Sequence, residues 1–161
     1  MIEYIEMFAS IKANALLIEY EDKFPFDKHK ELRHPEYCLN TEKLTRLKQA
    51  AYDNFIDIIP LQQAFGHLEY VLKHKSYHEL RETNDSAGEI CPSKKSSFDL
   101  VTGLLDEIIS SHPESEYMHL GCDEVRILCK CEDCQRSYGQ SEEKTLLELT
   151  FYSLISPRMS V

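Results

Sequence analysis

Three short apolar runs, separated by segments with helical periodicity, constrain the fold of this chain most strongly. The runs are ALLIEY (15–20), FIDIIPL (55–61) and YMHLGC (117–122). Each has the length of a strand buried in a sheet. With the intervening helices they give the order α-β-α-β-α-α-β-α, which is typical of parallel βα units joined by right-handed crossovers. We therefore predict an α/β fold.

The helices are predicted from apolar residues that recur at spacings of three and four along the chain. Thr41 is expected to cap the second helix, and Ser96 or Ser97 the fourth. The polar stretch RETNDSAGEICPSKK (81–95) indicates the longest loop. The predicted helices cover residues 2–12, 41–54, 68–80, Ser96 or Ser97 to about Ile109, and 142–155.

The number of strands leaves two architectures open. A closed barrel of βα units needs eight strands and about 250 residues, whereas this chain has 161 residues. The chain is therefore either a part of such a barrel or a small open α/β sheet with two exposed edges.

The acidic composition argues against several classes of partner. The formal net charge is −10, the pI is near 5.1, and the 18 lysines and arginines are dispersed, so the basic surface that nucleic-acid binding requires is missing. No run approaches the roughly 20 apolar residues that span a bilayer. The beginning, MIEYIEMF, is acidic where a secretory leader is basic. We expect a cytoplasmic or nuclear protein that binds neither nucleic acid nor membrane, and the oligomeric state is not predicted.

Two adjacent carboxylates follow the third apolar run, in the stretch YMHLGCDEV. If the strand continues, alternation places His119, Gly121 and Asp123 on one side, and Asp123 and Glu124 lie at its carboxyl end, where α/β enzymes place their catalytic groups. One carboxyl could stay ionised while the other, with its pKa raised by burial and by its neighbour, serves as a general acid. The alternative is a solvated acidic turn that caps the next helix.

These residues carry a resemblance to a known family. HLGCDEV is similar to the H-x-G-x-D-E signature of family-20 glycoside hydrolases, the β-N-acetylhexosaminidases. NALLIEYEDKFPF (14–26) and IIPLQQAFGHLEYVLKH (58–74) resemble one branch of that family, whose members usually lack a secretion signal. The resemblance implies a partial (β/α)8 TIM barrel, roughly strands 2–4 with flanking helices. Residues 1–161 would form a single incomplete catalytic domain, with the match strongest over 14–136 and a divergent helix and tail at 137–161.

The resemblance also implies a reaction. Enzymes of this family retain the anomeric configuration without an enzyme nucleophile, because the 2-acetamido oxygen of the substrate attacks the anomeric carbon and forms an oxazolinium ion. By the match, Asp123 orients the acetamido group and Glu124 acts first as acid and then as base. His67 and His119 are expected to bind substrate. No cofactor is implied, and the substrates are glycosides of N-acetylgalactosamine or N-acetylglucosamine, without a predicted preference.

A further acidic group follows the first predicted strand. Glu19, Glu21 and Asp22 lie at its carboxyl end, where a carboxylate can bind a sugar hydroxyl. We take Glu21 as a substrate-binding candidate, with a solvated acidic loop as the alternative.

The cysteines require a separate interpretation. Cys129, Cys131 and Cys134 form a C-x-C-x-x-C pattern, for which Cys122 or His119 could supply a fourth zinc ligand. Zinc sites usually contain two separated ligand pairs, so we predict reduced thiols and no metal.

The sequence also permits a non-catalytic interpretation of this chain. Family members usually close the acetamido pocket with tryptophans, and this chain contains none. The chain could therefore be inactive, and the alternative to an enzyme is a non-catalytic α/β fragment or a zinc-stabilised interaction module.

Overall fold

The computed structural model describes residues 2–138, which fall into two compact units. The first unit comprises residues 2–62 and 105–120, and the second comprises residues 63–104 and 121–138. The helices and strands are α1 (Ile2–Ser10), β1 (Ala15–Glu19), α2 (Thr41–Asp53), β2 (Asp57–Leu61), α3 (Glu69–Leu72), α4 (Lys95–Ser111) and α5 (Glu132–Tyr138), with 3₁₀ turns at Glu21–Lys23, Lys30–Leu32 and Lys75–Leu80. The helix predicted at 142–155 lies outside the described residues.

The first unit contains a parallel sheet, as predicted. β1 and β2 pair in parallel, with Ala15 opposite Asp57 and Glu19 opposite Leu61. His119 extends this array through an isolated parallel bridge to Leu61. Its backbone N–H donates to the Pro60 carbonyl at 2.9 Å, and its carbonyl accepts from the Gln62 N–H at 3.0 Å.

The third strand is therefore shorter than predicted. The sequence indicated a strand over 117–122, but only His119 takes part in pairing. The physical reason is the backbone that follows, because Gly121 and Cys122 have φ angles of 65° and 70°. Such left-handed residues cannot continue an extended ladder.

The two strands differ in burial. Ile58, Pro60 and Leu61 of β2 are buried, whereas the residues of β1 alternate between exposed and half-buried. Leu17 of β1 is 52% exposed. Within the described residues β2 has a paired neighbour on each side and β1 pairs with β2 alone, so the expectation of uniformly buried strands is wrong for β1.

Local signals account for the helix of the first unit that precedes β2. α2 buries Leu44, Leu47 and Ala51 on one face, which matches the predicted spacing. Its cap is Asn40, one residue before the predicted Thr41, and the Asn40 side chain accepts from the Lys43 N–H at 2.8 Å. This bond satisfies one of the free N–H groups in the first turn.

The second unit is less regular than predicted. The helix expected over 68–80 is broken into α3 and the 3₁₀ turn Lys75–Leu80, because His74 between them has extended angles. The predicted loop 81–95 contains an antiparallel bridge between Arg81 and Ile90. Within residues 2–138, none of the helices combines the length and the apolar character that crossing a bilayer requires.

Candidate active site

The second unit brings together three of the predicted site residues. The His67 Nε2 atom lies 3.9 Å from Asp123 Oδ2 and 3.7 Å from Glu124 Oε2. The guanidinium of Arg126 lies 3.7 Å from Glu124 Oε2. The Asp123 and Glu124 side chains are 63% and 59% exposed, so the expected burial of a carboxyl is not found. The cluster is an open acidic surface with one imidazole between two carboxylates.

Gly66 explains how His67 comes so close to the carboxylates. A Cβ atom at Gly66 would lie 3.1 Å from the Asp123 carbonyl oxygen and 3.4 Å from Val125 Cγ2. The first distance is shorter than ordinary van der Waals contact, and the second is at the lower limit of such contact. The glycine before His67 thus permits the backbone of residues 123–125 to pack directly against this turn, which gives the Gly66-His67 dipeptide a structural reason.

The backbone around the carboxylates is left-handed at several positions. Gly121, Cys122 and Glu124 have φ angles of 65°, 70° and 49°, and His67 has a φ of 53°. The strand alternation that would place His119, Gly121 and Asp123 on one side therefore does not extend past Leu120. For residues other than glycine such angles are uncommon, and they concentrate at functional sites.

Gln63 holds the start of this turn. Its side-chain Oε1 accepts from the Cys122 N–H at 3.3 Å, and its amide occupies the space that a Cβ atom at Gly121 would need. Glu89 acts similarly further along, because its Oε1 accepts from the Arg126 N–H at 3.4 Å. Both side chains are buried. Two buried polar groups from distant parts of the chain therefore position the segment that bears the carboxylates.

The alternative role of a helix cap is wrong for this pair. The next helix, α5, begins at Glu132, and the acidic residues of its first turn are Glu132 and Asp133. Asp123 and Glu124 lie eight or more residues before that helix. Their position is explained by contacts with Gly66 and His67 and not by a helix dipole.

The other two predicted substrate-binding residues belong to the first unit. Glu21 opens the 3₁₀ turn directly after β1 and has a φ of 48°. His119 lies beside Leu61, which is paired in turn with Glu19 of β1. Glu21 and His119 thus lie at or just beyond the carboxyl edge of the parallel array. Their participation at the carboxylate site stays a prediction.

A cluster of thiols in the second unit was not anticipated in this form. Cys91 Sγ lies 3.3 Å from Cys131 Sγ and 3.5 Å from Cys134 Sγ. The Cys134 thiol donates to the Glu82 carboxylate at 3.3 Å. Cys129 is buried nearby but is not among the four groups whose ligand atoms converge, and neither Cys122 nor His119 is a fourth member. None of the six cysteines, which all lie within the described residues, forms a disulfide.

Two thiols of this cluster, those of Cys131 and Cys134, have raised pKa values. The hydrogen bond with Cys91 and then burial raise the pKa of Cys134. Burial is also the main reason why the pKa of Cys131 is raised. Spacing could not reveal the cluster, because Cys91 lies 40 residues before Cys131 in what looked like an ordinary loop. The antiparallel bridge between Arg81 and Ile90 brings together the two segments that contain Glu82 and Cys91.

Comparisons with known proteins give the family. The protein family described as "Glycosyl hydrolase family 20, catalytic domain" matches residues 10–159. Hexosaminidase D of Bos taurus is 35% identical over 147 residues, which cover 91% of this chain and 42% of the relative. Hexosaminidase D of Homo sapiens is 35% identical over 143 residues, which cover 89% of this chain and 29% of the relative. The chain thus spans less than half the length of these relatives.

A solved structure supports the fold. The β-N-acetylhexosaminidase from Bacteroides fragilis superposes with a TM-score of 0.75 at 23% identity, covering 98% of this chain and 36% of that one. The fold is therefore that of a part of a TIM-barrel catalytic domain. Together with the match over residues 10–159, this shows that the chain belongs to glycosyl hydrolase family 20.

Proposed function

We propose that this chain acts as a β-N-acetylhexosaminidase, which removes terminal N-acetylhexosamine residues from glycosides. The observation that carries the proposal is the convergence of His67, Asp123 and Glu124 within 4 Å in a family-20 chain. Similarity to the two hexosaminidases D and to the Bacteroides enzyme supports the same substrate class. N-acetylglucosamine and N-acetylgalactosamine glycosides are both candidates.

The two carboxylates divide the reaction between them. The acetamido oxygen of the substrate attacks the anomeric carbon while the bond to the leaving oxygen breaks, and Glu124 gives its proton to that oxygen. Asp123 stays ionised, accepts the acetamido N–H and stabilises the positive charge of the oxazolinium ion. Glu124 then removes a proton from a water molecule. The water oxygen attacks the anomeric carbon from the face that the leaving group vacated, and the bond between this carbon and the acetamido oxygen breaks. The product retains its anomeric configuration, and no cofactor takes part.

His67 serves as a positioning residue for both acids. Its Nε2 atom lies 3.7–3.9 Å from the two carboxylates, which is longer than a direct hydrogen bond. At this distance it acts electrostatically or through one bridging water. Its place between the acids keeps their side chains on one surface.

The remaining predicted groups, Glu21 and His119, belong to the first unit. β1, β2 and the segment at His119 correspond in this proposal to strands 2, 3 and 4 of an eight-stranded barrel. The carboxyl ends of barrel strands carry the substrate-binding residues. On this basis we assign Glu21 and His119 to substrate hydroxyl groups.

A chromogenic assay tests the proposal. Purified chain should release nitrophenol from nitrophenyl N-acetyl-β-glucosaminide or the galactosaminide. The variant with both Asp123→Asn and Glu124→Gln should lose activity by at least about 100-fold. Asp99→Asn is the matched control, because Asp99 is an exposed acid paired with Lys95 on α4. A folded wild-type chain that releases no more nitrophenol than the double variant contradicts the proposal.

A further inference from the structure

We propose that Glu82, Cys91, Cys131 and Cys134 form a structural zinc site. These four residues are called the thiol–carboxylate cluster below. The inference concerns a different set of residues from the carboxylate site, and it stands or falls independently of glycosidase activity.

The geometry of the cluster suits one tetrahedral metal ion. One ligand atom from each of the four residues can be chosen so that all four lie within 4.8 Å of one another. In a tetrahedral site with Zn–S bonds of about 2.3 Å, the ligand atoms lie about 3.5–3.8 Å apart. The Sγ separations of 3.3 and 3.5 Å around Cys91 are close to that spacing. They are also far longer than a disulfide bond, which measures about 2.05 Å.

Burial distinguishes this cluster from a chance group of surface thiols. Cys91 and Cys134 are 0% exposed and Glu82 is 2% exposed, and only Cys131 is half-buried. A buried carboxylate is costly unless it is paired. Within residues 2–138, the partners of the Glu82 carboxylate are N–H groups and a thiol, not a lysine or arginine. A divalent cation supplies the missing positive charge.

Polar groups around the cluster are placed as donors to its ligands. The Ser93 hydroxyl donates to Cys134 Sγ at 3.1 Å, and the Cys134 N–H donates to Cys131 Sγ at 3.3 Å. Glu82 Oε1 accepts from the N–H groups of Lys130 and Cys131 at 2.7 and 3.0 Å, which leaves Oε2 for the metal. Outer hydrogen bonds of this kind orient metal ligands and favour their charged forms.

The donor set selects zinc and a structural role. Thiolate ligands in a four-coordinate site favour Zn²⁺ over Mg²⁺ or Ca²⁺, which prefer oxygen ligands. Four protein ligands leave no open position for water or substrate, which is the arrangement of structural zinc. Binding would release the protons of the three thiols to solvent, and no electron transfer is involved.

The consequence concerns the segment that bears the carboxylates. Residues 120–131 contain no helix or strand, and Cys131 follows Glu124 by seven residues. Cys91 and Glu82, in contrast, belong to the hydrogen-bonded pairing around Arg81 and Ile90. Zinc would therefore tie the end of an irregular segment to a paired one and limit its motion.

Zinc content of the full chain tests the site. Protein purified under reducing conditions and loaded with zinc should retain about one zinc per chain after removal of loosely bound metal. Cys91→Ser and Cys134→Ser should each retain less than about a tenth of that amount, since three ligands bind far more weakly. Cys38→Ser is the control for loss of a thiol elsewhere, because Cys38 belongs to the first unit.

Cys129→Ser separates this site from the one that spacing alone indicates. A site built on the C-x-C-x-x-C pattern requires Cys129, whereas the thiol–carboxylate cluster does not, so this variant should retain its zinc. Retention by Cys91→Ser together with loss by Cys129→Ser would overturn the proposal.

Cobalt provides a readout that does not depend on comparing variants. Co²⁺ added to the reduced wild-type chain should give the intense absorption of thiolate charge transfer and of tetrahedral coordination, and Zn²⁺ should abolish both. Absence of this spectrum in folded wild-type chain, or a disulfide among Cys91, Cys131 and Cys134 in protein purified without reductant, would overturn the proposal.

Discussion

The parallel array of the first unit and the carboxylate segment of the second are built on opposite principles. In the array, five consecutive residues of β1 face five of β2 in one register, and the order follows from a repeating backbone pattern. In the segment 121–126, three residues have left-handed angles, and single side chains such as Gln63 and Glu89 hold the backbone. A ladder spreads its stabilisation over many bonds, whereas the segment depends on a few.

This difference predicts where single substitutions act. In the array a change should matter in proportion to the apolar area that it removes from the core. In the carboxylate segment a substitution should act by displacing the backbone, because only a few contacts hold it in position.

The largest effect on stability is expected in the array. Ile58→Ala should lower the free energy of unfolding by about 2–4 kcal/mol, because truncating a buried isoleucine loses transfer energy and leaves a cavity. Leu17→Ala is the matched control on the paired strand, with a side chain that is 52% exposed, and should cost less than about 1 kcal/mol. Urea denaturation followed by circular dichroism measures both. Equal losses would break the contrast between β2 and β1.

Gly121→Ala should have the next largest effect on the free energy of unfolding. The new Cβ would overlap the Gln63 amide, and the residue would have to adopt a φ of 65°. We expect a loss of about 1–3 kcal/mol, together with faster hydrogen exchange of the Cys122 amide, whose acceptor is Gln63. An unchanged exchange rate at this amide would show that Gln63 does not hold the turn.

Gly66→Ala should affect activity more than stability. The new methyl group would press on the Asp123 carbonyl oxygen, 3.1 Å away, and a shift of a few tenths of an ångström would relieve it. We expect a loss of about 1 kcal/mol in stability but a drop of about tenfold or more in kcat/KM, because catalysis depends on placement. A kcat/KM that stays close to that of the wild type would argue against a positioning role for Gly66.

The smallest effect is a pH dependence in the first unit. The Ile108 carbonyl accepts from His112 Nδ1–H at 2.8 Å, so Nε2 is left to accept from the Tyr20 hydroxyl at 2.9 Å. Burial is the main reason why the pKa of His112 is lowered from 6.5. The unfolded chain therefore binds the proton more readily, and the stability from neutral His112 is complete above about pH 6.5 and declines below it.

The difference in stability between the wild type and a His112 variant measures this pH dependence. Unfolding midpoints of wild type and His112→Gln at several pH values between about 7.5 and 5.5 should converge as the pH falls. A constant difference over this interval would show that His112 does not contribute in this way.

The patterned parts of the fold could be predicted from the sequence. β1, β2, α2 and α4 were expected within one or two residues of their observed bounds, because apolar periodicity is a local signal. The predicted caps were wrong, since Asn40 caps α2 and since α4 begins at Lys95, before Ser96 and Ser97. The early end of the third strand was not, since left-handed angles at Cys122 leave no mark on periodicity.

The candidate site shows the same division. Asp123 and Glu124 stood out as adjacent acids after an apolar run, and the family resemblance added His67. Their convergence, however, depends on a close approach at Gly66 between segments more than 50 residues apart. The thiol–carboxylate cluster likewise depends on the pairing of the two segments that contain Glu82 and Cys91. Spacing along the chain does not encode such contacts.

The most direct test of the account is the dependence of the two carboxylate variants on the leaving group. In Glu124→Gln, kcat/KM should fall by about 100-fold or more with an alkyl N-acetylglucosaminide, because its leaving oxygen must be protonated by an acid. This variant should approach wild-type kcat/KM with a dinitrophenyl glycoside, whose leaving oxygen needs no acid. Asp123→Asn should remain slow with both substrates, because the oxazolinium charge still needs its carboxylate. Equal recovery of both variants with the dinitrophenyl substrate, or recovery of Asp123→Asn alone, would contradict the assigned roles.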